Sequence, residues 1–121
     1  MTSEPDFGSL RHAEHVEHAD HGSIIFSPGG PADHRVAGLF AEHGLEGSGY
    51  DWQSLVHAVL ATEDPAMLDR FRFDSEASMF CAYGADPAAL HAVGTIVDRL
   101  LDDPGLVTDR LRYAVEHDLI D

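Results

Sequence analysis

The sequence predicts an α+β domain, with about four antiparallel strands in two hairpins and four helices packed mainly on one sheet face. Three observations lead there. The stretch RFRFDSEASMFCAYG alternates apolar and polar residues on either side of a polar turn, which is the pattern of a hairpin. After Asp86 the period changes, and Leu90, Val93, Ile96, Val97, Leu100 and Leu101 recur on one face of a helix. Hydrophobic residues make up 44 % of the 121 positions. A chain of this length can bury roughly 65 % of its unfolded surface in one core, whereas two independent domains would each be too small. Residues 1–121 are therefore expected to form a single domain, with 1–9 a loose N-terminal segment.

In order along the chain, LRHAEHVEHADHGSIIFS is the stretch least committed to one conformation. Its turn-like ADHG, followed by SIIFS, suggests a hairpin whose second strand is Ser23 to Ser27. PGGP breaks the chain before Pro31, which suits the first turn of a helix carrying Val36, Leu39 and Phe40, and Gly44 is placed to end it. Asp51 reads as the N-cap of the next helix, where Trp52, Leu55, Val56, Val59 and Leu60 recur at helical spacing. Pro65 interrupts that helix, and a short turn through Leu68 follows. In the hairpin, Phe71 and Phe73 alternate with arginines, Asp74 to Ala77 turn, and Met79 to Tyr83 return. Asp86 and Pro87 open a helix that runs to Asp102; Asp103 and Pro104 open another, with Leu106, Val107, Leu111, Ala114 and Val115 facing inward. Helices on one face leave the other face of the sheet either solvated or free to bind.

Twenty-two acids against seven basic residues, all arginine, give a formal charge of −15. Nucleic acid and anionic membranes are poor partners for such a chain, whereas a basic partner would be drawn in by long-range attraction. An acidic surface also serves solubility. The single cysteine, Cys81, excludes an intrachain disulfide. MTSEPDFGSL has neither a basic nor an apolar leader region, and no apolar run approaches the roughly 18–20 residues needed to cross a bilayer, so a cytoplasmic location is expected. Self-association through a sheet edge is compatible with these elements.

Chemistry-bearing residues are few in pattern. His12, His15, His18 and His21 fall every third residue, yet in a strand His12 and His18 would lie about 20 Å apart with His15 on the opposite face. No metal is expected there. Protonating all nine histidines adds nine charges to −15 and leaves −6, so a partner held by charge should bind less tightly in mild acid. Cys81 has apolar neighbours and reads as a buried thiol rather than a nucleophile. GLEGSG lacks the lysine of a phosphate loop, and no nucleophile-elbow pattern occurs. No catalysis and no cofactor are expected. GLEGSGYDW admits two readings: a corner in which Gly47 and Gly49 supply unusual backbone angles while Trp52 packs inward, or an acidic and aromatic surface for a cationic partner.

Taken together, LFAEHGLEGSGYDWQSLVHAVL, FRFDSEASMFCAYGADPAAL and the closing helical pair resemble the immunity protein 51 family of bacterial polymorphic toxin systems. GSGYDW and FDSEASMFCAYG are the most specific pieces, and the resemblance spans Leu39 to Leu101, about half of the chain. Ser48 stands where family members commonly have asparagine, and Ser75 and Ser78 where they have proline and glycine. The resemblance implies a small cytoplasmic antidote without catalysis that binds and blocks a cognate toxin domain; the acidic balance fits a basic nuclease as that toxin. It makes Glu46, Tyr50, Asp51 and Trp52 the first candidates for partner contact, with Asp74 and Glu76 second. The alternative is a small-molecule-binding or regulatory domain, which a pocket lined by Tyr50, Tyr83 and phenylalanines would favour.

Overall fold

A computed structural model describes residues 5–120. Four antiparallel strands, β1 (Glu14–Glu17), β2 (Gly22–Phe26), β3 (Arg72–Phe73) and β4 (Phe80–Gly84), form one sheet in the order β1-β2-β4-β3. Four α-helices accompany it: α1 (Ala37–Ala41), α2 (Gly49–Glu63), α3 (Pro87–Asp102) and α4 (Pro104–Glu116). Short 3-10 turns cover Phe7–Ser9, Pro31–Asp33 and Pro65–Arg70. The α+β class and the two hairpins are as the sequence predicts, and β2 and β4 join the hairpins at the sheet centre.

The register decides which residues become core. Ile24 pairs with Ala82 and Phe26 with Phe80, so these four point to the same face. They meet Trp52, Leu55 and Val59 of α2 and Leu90, Val93 and Val97 of α3 in one buried cluster. The opposite face carries Ser23 and Ile25 of β2, Cys81 and Tyr83 of β4, Glu14 and Val16 of β1, and Arg72 of β3.

Several boundaries differ from expectation for identifiable reasons. Ser48, not Asp51, is the N-cap of α2; Asp51 is the third helical residue and completes a capping box, so the helix starts earlier. The segment after Pro31 divides into a 3-10 turn and the five-residue α1, because the Asp33 carboxylate turns back to accept the Gly29 N–H. Val115 is 49 % exposed rather than inward-facing, since α4 buries only the stripe of Val107, Leu111 and Ala114. Of the expected loose segment 1–9, residues 1–4 lie outside the described residues. From Pro5 onward, Phe7 and Leu10 pack against the core.

Three buried aspartates carry much of the fold's polar bookkeeping: Asp33, Asp51 and Asp98. Asp98, 6 % exposed on α3, accepts the backbone N–H groups of Arg11, His12 and Ala13 at 2.6, 2.9 and 3.1 Å. A buried carboxylate is tolerated where several donors replace its water shell. It ties the segment preceding β1 to α3. An acid inside the apolar stripe IVDRLL was the sequence signal for such an anchor.

Candidate partner-binding surface

The GLEGSGYDW corner is wound around one carboxylate. Asp51 Oδ2 accepts the N–H groups of Glu46, Gly47 and Ser48 at 3.1, 2.8 and 3.1 Å, while Ser48 Oγ accepts the Asp51 N–H at 3.2 Å. Gly47 has φ of 79°, the left-handed region in which a Cβ is costly. Gly49 serves differently from the expectation, through close approach rather than an unusual angle. Its N–H donates to the Ala77 carbonyl at 2.9 Å, and a Cβ at this position would be driven into the carbonyl oxygens of Glu76 and Met79. The two segments with the most specific sequence patterns therefore lock together at Gly49.

The hairpin side of this junction is equally constrained. Glu76 and Met79 exchange backbone hydrogen bonds of 2.8 and 3.1 Å, the Asp74 N–H donates to the Cys81 carbonyl at 2.9 Å, and Ser75 Oγ accepts the Cys81 N–H at 3.1 Å. A serine here supplies a hydrogen bond that a proline could not. The resulting turn holds Asp74 and Glu76 exposed, next to the loop that exposes Glu46.

The six candidate residues divide by burial. Glu46, Asp74 and Glu76 are exposed, and Tyr50 is 43 % exposed. Asp51 is buried on the loop's backbone donors, and Trp52 is fully buried between Phe26 and Phe40, with ring centroids 5.0 and 5.5 Å away. Asp51 and Trp52 thus shape the surface from within.

Arginines neutralise part of the acidic surface. Arg99 grips Glu63 through two hydrogen bonds of 2.7 and 2.8 Å, Arg110 reaches Glu63 and Asp109, Arg11 pairs with Asp102, and Arg70 pairs with Asp86. The acids so neutralised lie on α2, on α3 or its cap, and on α4. Glu14, Glu46, Asp74 and Glu76 make no ion pair among the described residues, as is also true of other exposed acids such as Glu17, Glu42 and Asp69. Burial pushes the Cys81 thiol up, and the negative charge of Asp74 and then Glu76 pushes it further, which makes it a poor nucleophile.

The histidine segment folds more tightly than an extended strand would allow. Since β1 stops at Glu17, the turn brings the rings of His18 and His21 into a stack at 4.4 Å, while His15 stacks on Phe7 at 3.6 Å. The three line one cavity of about 320 Å³ together with Phe7, Glu17, Asp20 and Leu90. Among the described residues, no group of three or more histidine, cysteine or carboxylate side chains is arranged to hold a metal ion. This cavity contains neither Tyr50 nor Tyr83. No helix among the described residues is long and apolar enough to cross a membrane.

Compared with known proteins, the chain matches the family model described as Immunity protein 51 over residues 15–115, from β1 to α4. No curated protein and no solved structure matches the chain.

Proposed function

Because the chain belongs to the immunity protein 51 family, we propose that it is the antidote of a bacterial polymorphic toxin system, binding its cognate toxin domain one to one and covering the site where that toxin's substrate would bind. One observation supports this beyond the family. The contact at Gly49 joins the loop of Glu46 and half-exposed Tyr50 to the hairpin turn of Asp74 and Glu76, and these three exposed acids make no ion pair among the described residues.

The proposed mechanism needs no bond chemistry. Uncompensated carboxylates attract a basic cleft from a distance and raise the association rate, while an aromatic ring that becomes desolvated slows dissociation. Tyr50 is the anchor in this scheme, and Glu46, Asp74 and Glu76 supply the charge. Asp51 and Trp52 act through the geometry they impose. A nuclease fits best as the toxin, because a phosphate-binding cleft carries the positive charge that −15 would complement.

The test is titration calorimetry of the protein against the catalytically inactivated toxin domain encoded by the neighbouring gene. A one-to-one complex that weakens as salt is raised is the expected result, with the double variant Glu46→Ala/Tyr50→Ala retaining its fold and losing affinity. Absence of binding at low salt would overturn the antidote reading, and a bound small molecule in the native protein would favour the regulatory alternative.

A further inference from the structure

The sheet face turned away from the helices is unaccounted for by the loop-centred site. Alternation along the strands places Glu14, Val16, Ser23, Ile25, Cys81, Tyr83 and Arg72 there. Much of it is apolar or small: Val16 on the edge strand β1 is 37 % exposed, Ile25 and Tyr83 on the central strands are partly exposed, and Ser23 and Cys81 are nearly covered by their neighbours. Its margins carry Glu14 on the β1 side and Asp74 with Glu76 on the other, the Asp74 N–H donating to the Cys81 carbonyl at 2.9 Å. Arg72 is the one arginine on these strands' outer face and lies at the β3 edge. The Asp74 N–H bond to the Cys81 carbonyl joins this face to the hairpin turn, and the Gly49 contact joins that turn to the loop of Glu46 and Tyr50.

Area argues that loop and sheet act together. The sixteen residues of the four strands, each taking ~3.3 Å along the strand and ~4.8 Å across it, cover roughly 250 Å². A stable specific interface needs about 800 Å² from each partner. The sheet face does not reach that alone. Charge selects the occupant: a second copy would set −15 against −15, with Glu14, Asp74 and Glu76 facing their own kind, whereas a basic domain would meet opposite charge around an apolar patch.

Resting on the antidote reading above, we infer that the toxin domain docks across the uncovered sheet face as well as the corner loop, packing an apolar spot ringed by basic residues against Val16, Ile25 and Tyr83. Glu14, Asp74 and Glu76 then border this contact on both sides.

The experiment measures binding of the same inactivated toxin domain, near physiological salt, to three full-length variants. Val16→Arg puts a charge into the apolar part of the face from an already exposed position on the edge strand β1. Thr95→Arg makes the same change of charge at an exposed position of α3 and serves as the control. Glu46→Ala/Tyr50→Ala reports the loop. The expected result is a Kd raised at least tenfold by Val16→Arg and less than twofold by Thr95→Arg, with melting temperatures near that of wild type. Hydrogen exchange on the wild-type complex supplies a readout free of mutation, with slowed exchange expected along β1.

If Val16→Arg binds within twofold of wild type while the loop double variant is weakened, the sheet inference falls and the antidote reading stands. If the wild type itself fails to bind, both fall. A wild-type homodimer that buries β1 would likewise overturn the assignment of the occupant.

Discussion

Replacing Trp52 tests whether the residue named first by its motif acts from inside the fold. Its side chain is fully buried, wedged between Phe26 and Phe40, and no acceptor among the described residues lies within hydrogen-bond reach of its indole N–H. Truncation of a buried tryptophan to alanine costs about 3–5 kcal/mol through lost transfer energy and an unfilled cavity. Against this stands relief from burying an unpaired donor, worth about 1–3 kcal/mol, so Trp52→Ala should fall at the lower end, near 3 kcal/mol. For a domain of this size that corresponds to a melting temperature lower by roughly 10–15 °C. Trp52→Phe separates the two contributions. It vacates roughly 40 Å³, which at about 24 cal/mol per Å³ costs about 1 kcal/mol and is offset by removal of the unpaired N–H. Its stability should lie within about 1 kcal/mol of wild type. Urea denaturation followed by far-ultraviolet circular dichroism measures both, since the only tryptophan is the residue being removed. A loss below 1 kcal/mol for Trp52→Ala would refute the buried wedge. Equal losses for Phe and Ala would refute the unpaired indole.

Gly49→Ala must push the α2 start away from the Glu76 and Met79 carbonyls; it should cost at least about 2 kcal/mol in denaturant unfolding and raise exchange at the Gly49 amide. Asp98→Ala leaves three N–H groups without their acceptor, so a loss of about 2–4 kcal/mol is expected, with amide exchange accelerating first at Arg11, His12 and Ala13. The hydrogen bonds from Arg99 hold the Glu63 carboxyl below its ordinary range. Its contribution is therefore present above the ordinary glutamate pKa near 4.3 and is lost as pH falls through the depressed value; partial exposure limits it to below about 1 kcal/mol. Arg99→Ala should flatten the stability profile between about pH 5 and pH 3, and an unchanged slope there would count against the pair.

Elements with a strong local signal were legible directly. Asp86-Pro87 and Asp103-Pro104 open α3 and α4, where each aspartate caps backbone N–H groups and each proline fills a position that needs no donor. Legibility declined where a residue's partner is distant in sequence. Asp51 could be placed at the start of α2, but its preference for the N–H groups of Glu46, Gly47 and Ser48 depends on how the preceding loop closes. Gly49 could be recognised as permissive, yet the reason for it lies in carbonyls 27 and 30 residues later along the chain. The six candidate residues were grouped by motif alone, and burial separates four surface groups from two internal supports.

The sequence by itself determined the class of fold, the helical stripes, the acidic balance and the family, because each is a property of composition, local period or contiguous pattern. Only the tertiary structure decided that the two motif segments meet at Gly49, that Asp98 gathers the segment before β1, and which strand residues turn away from the helices. These depend on strand register and helix placement, in which one residue of slip would exchange the faces, and no local preference reports which of the two faces the helices will take.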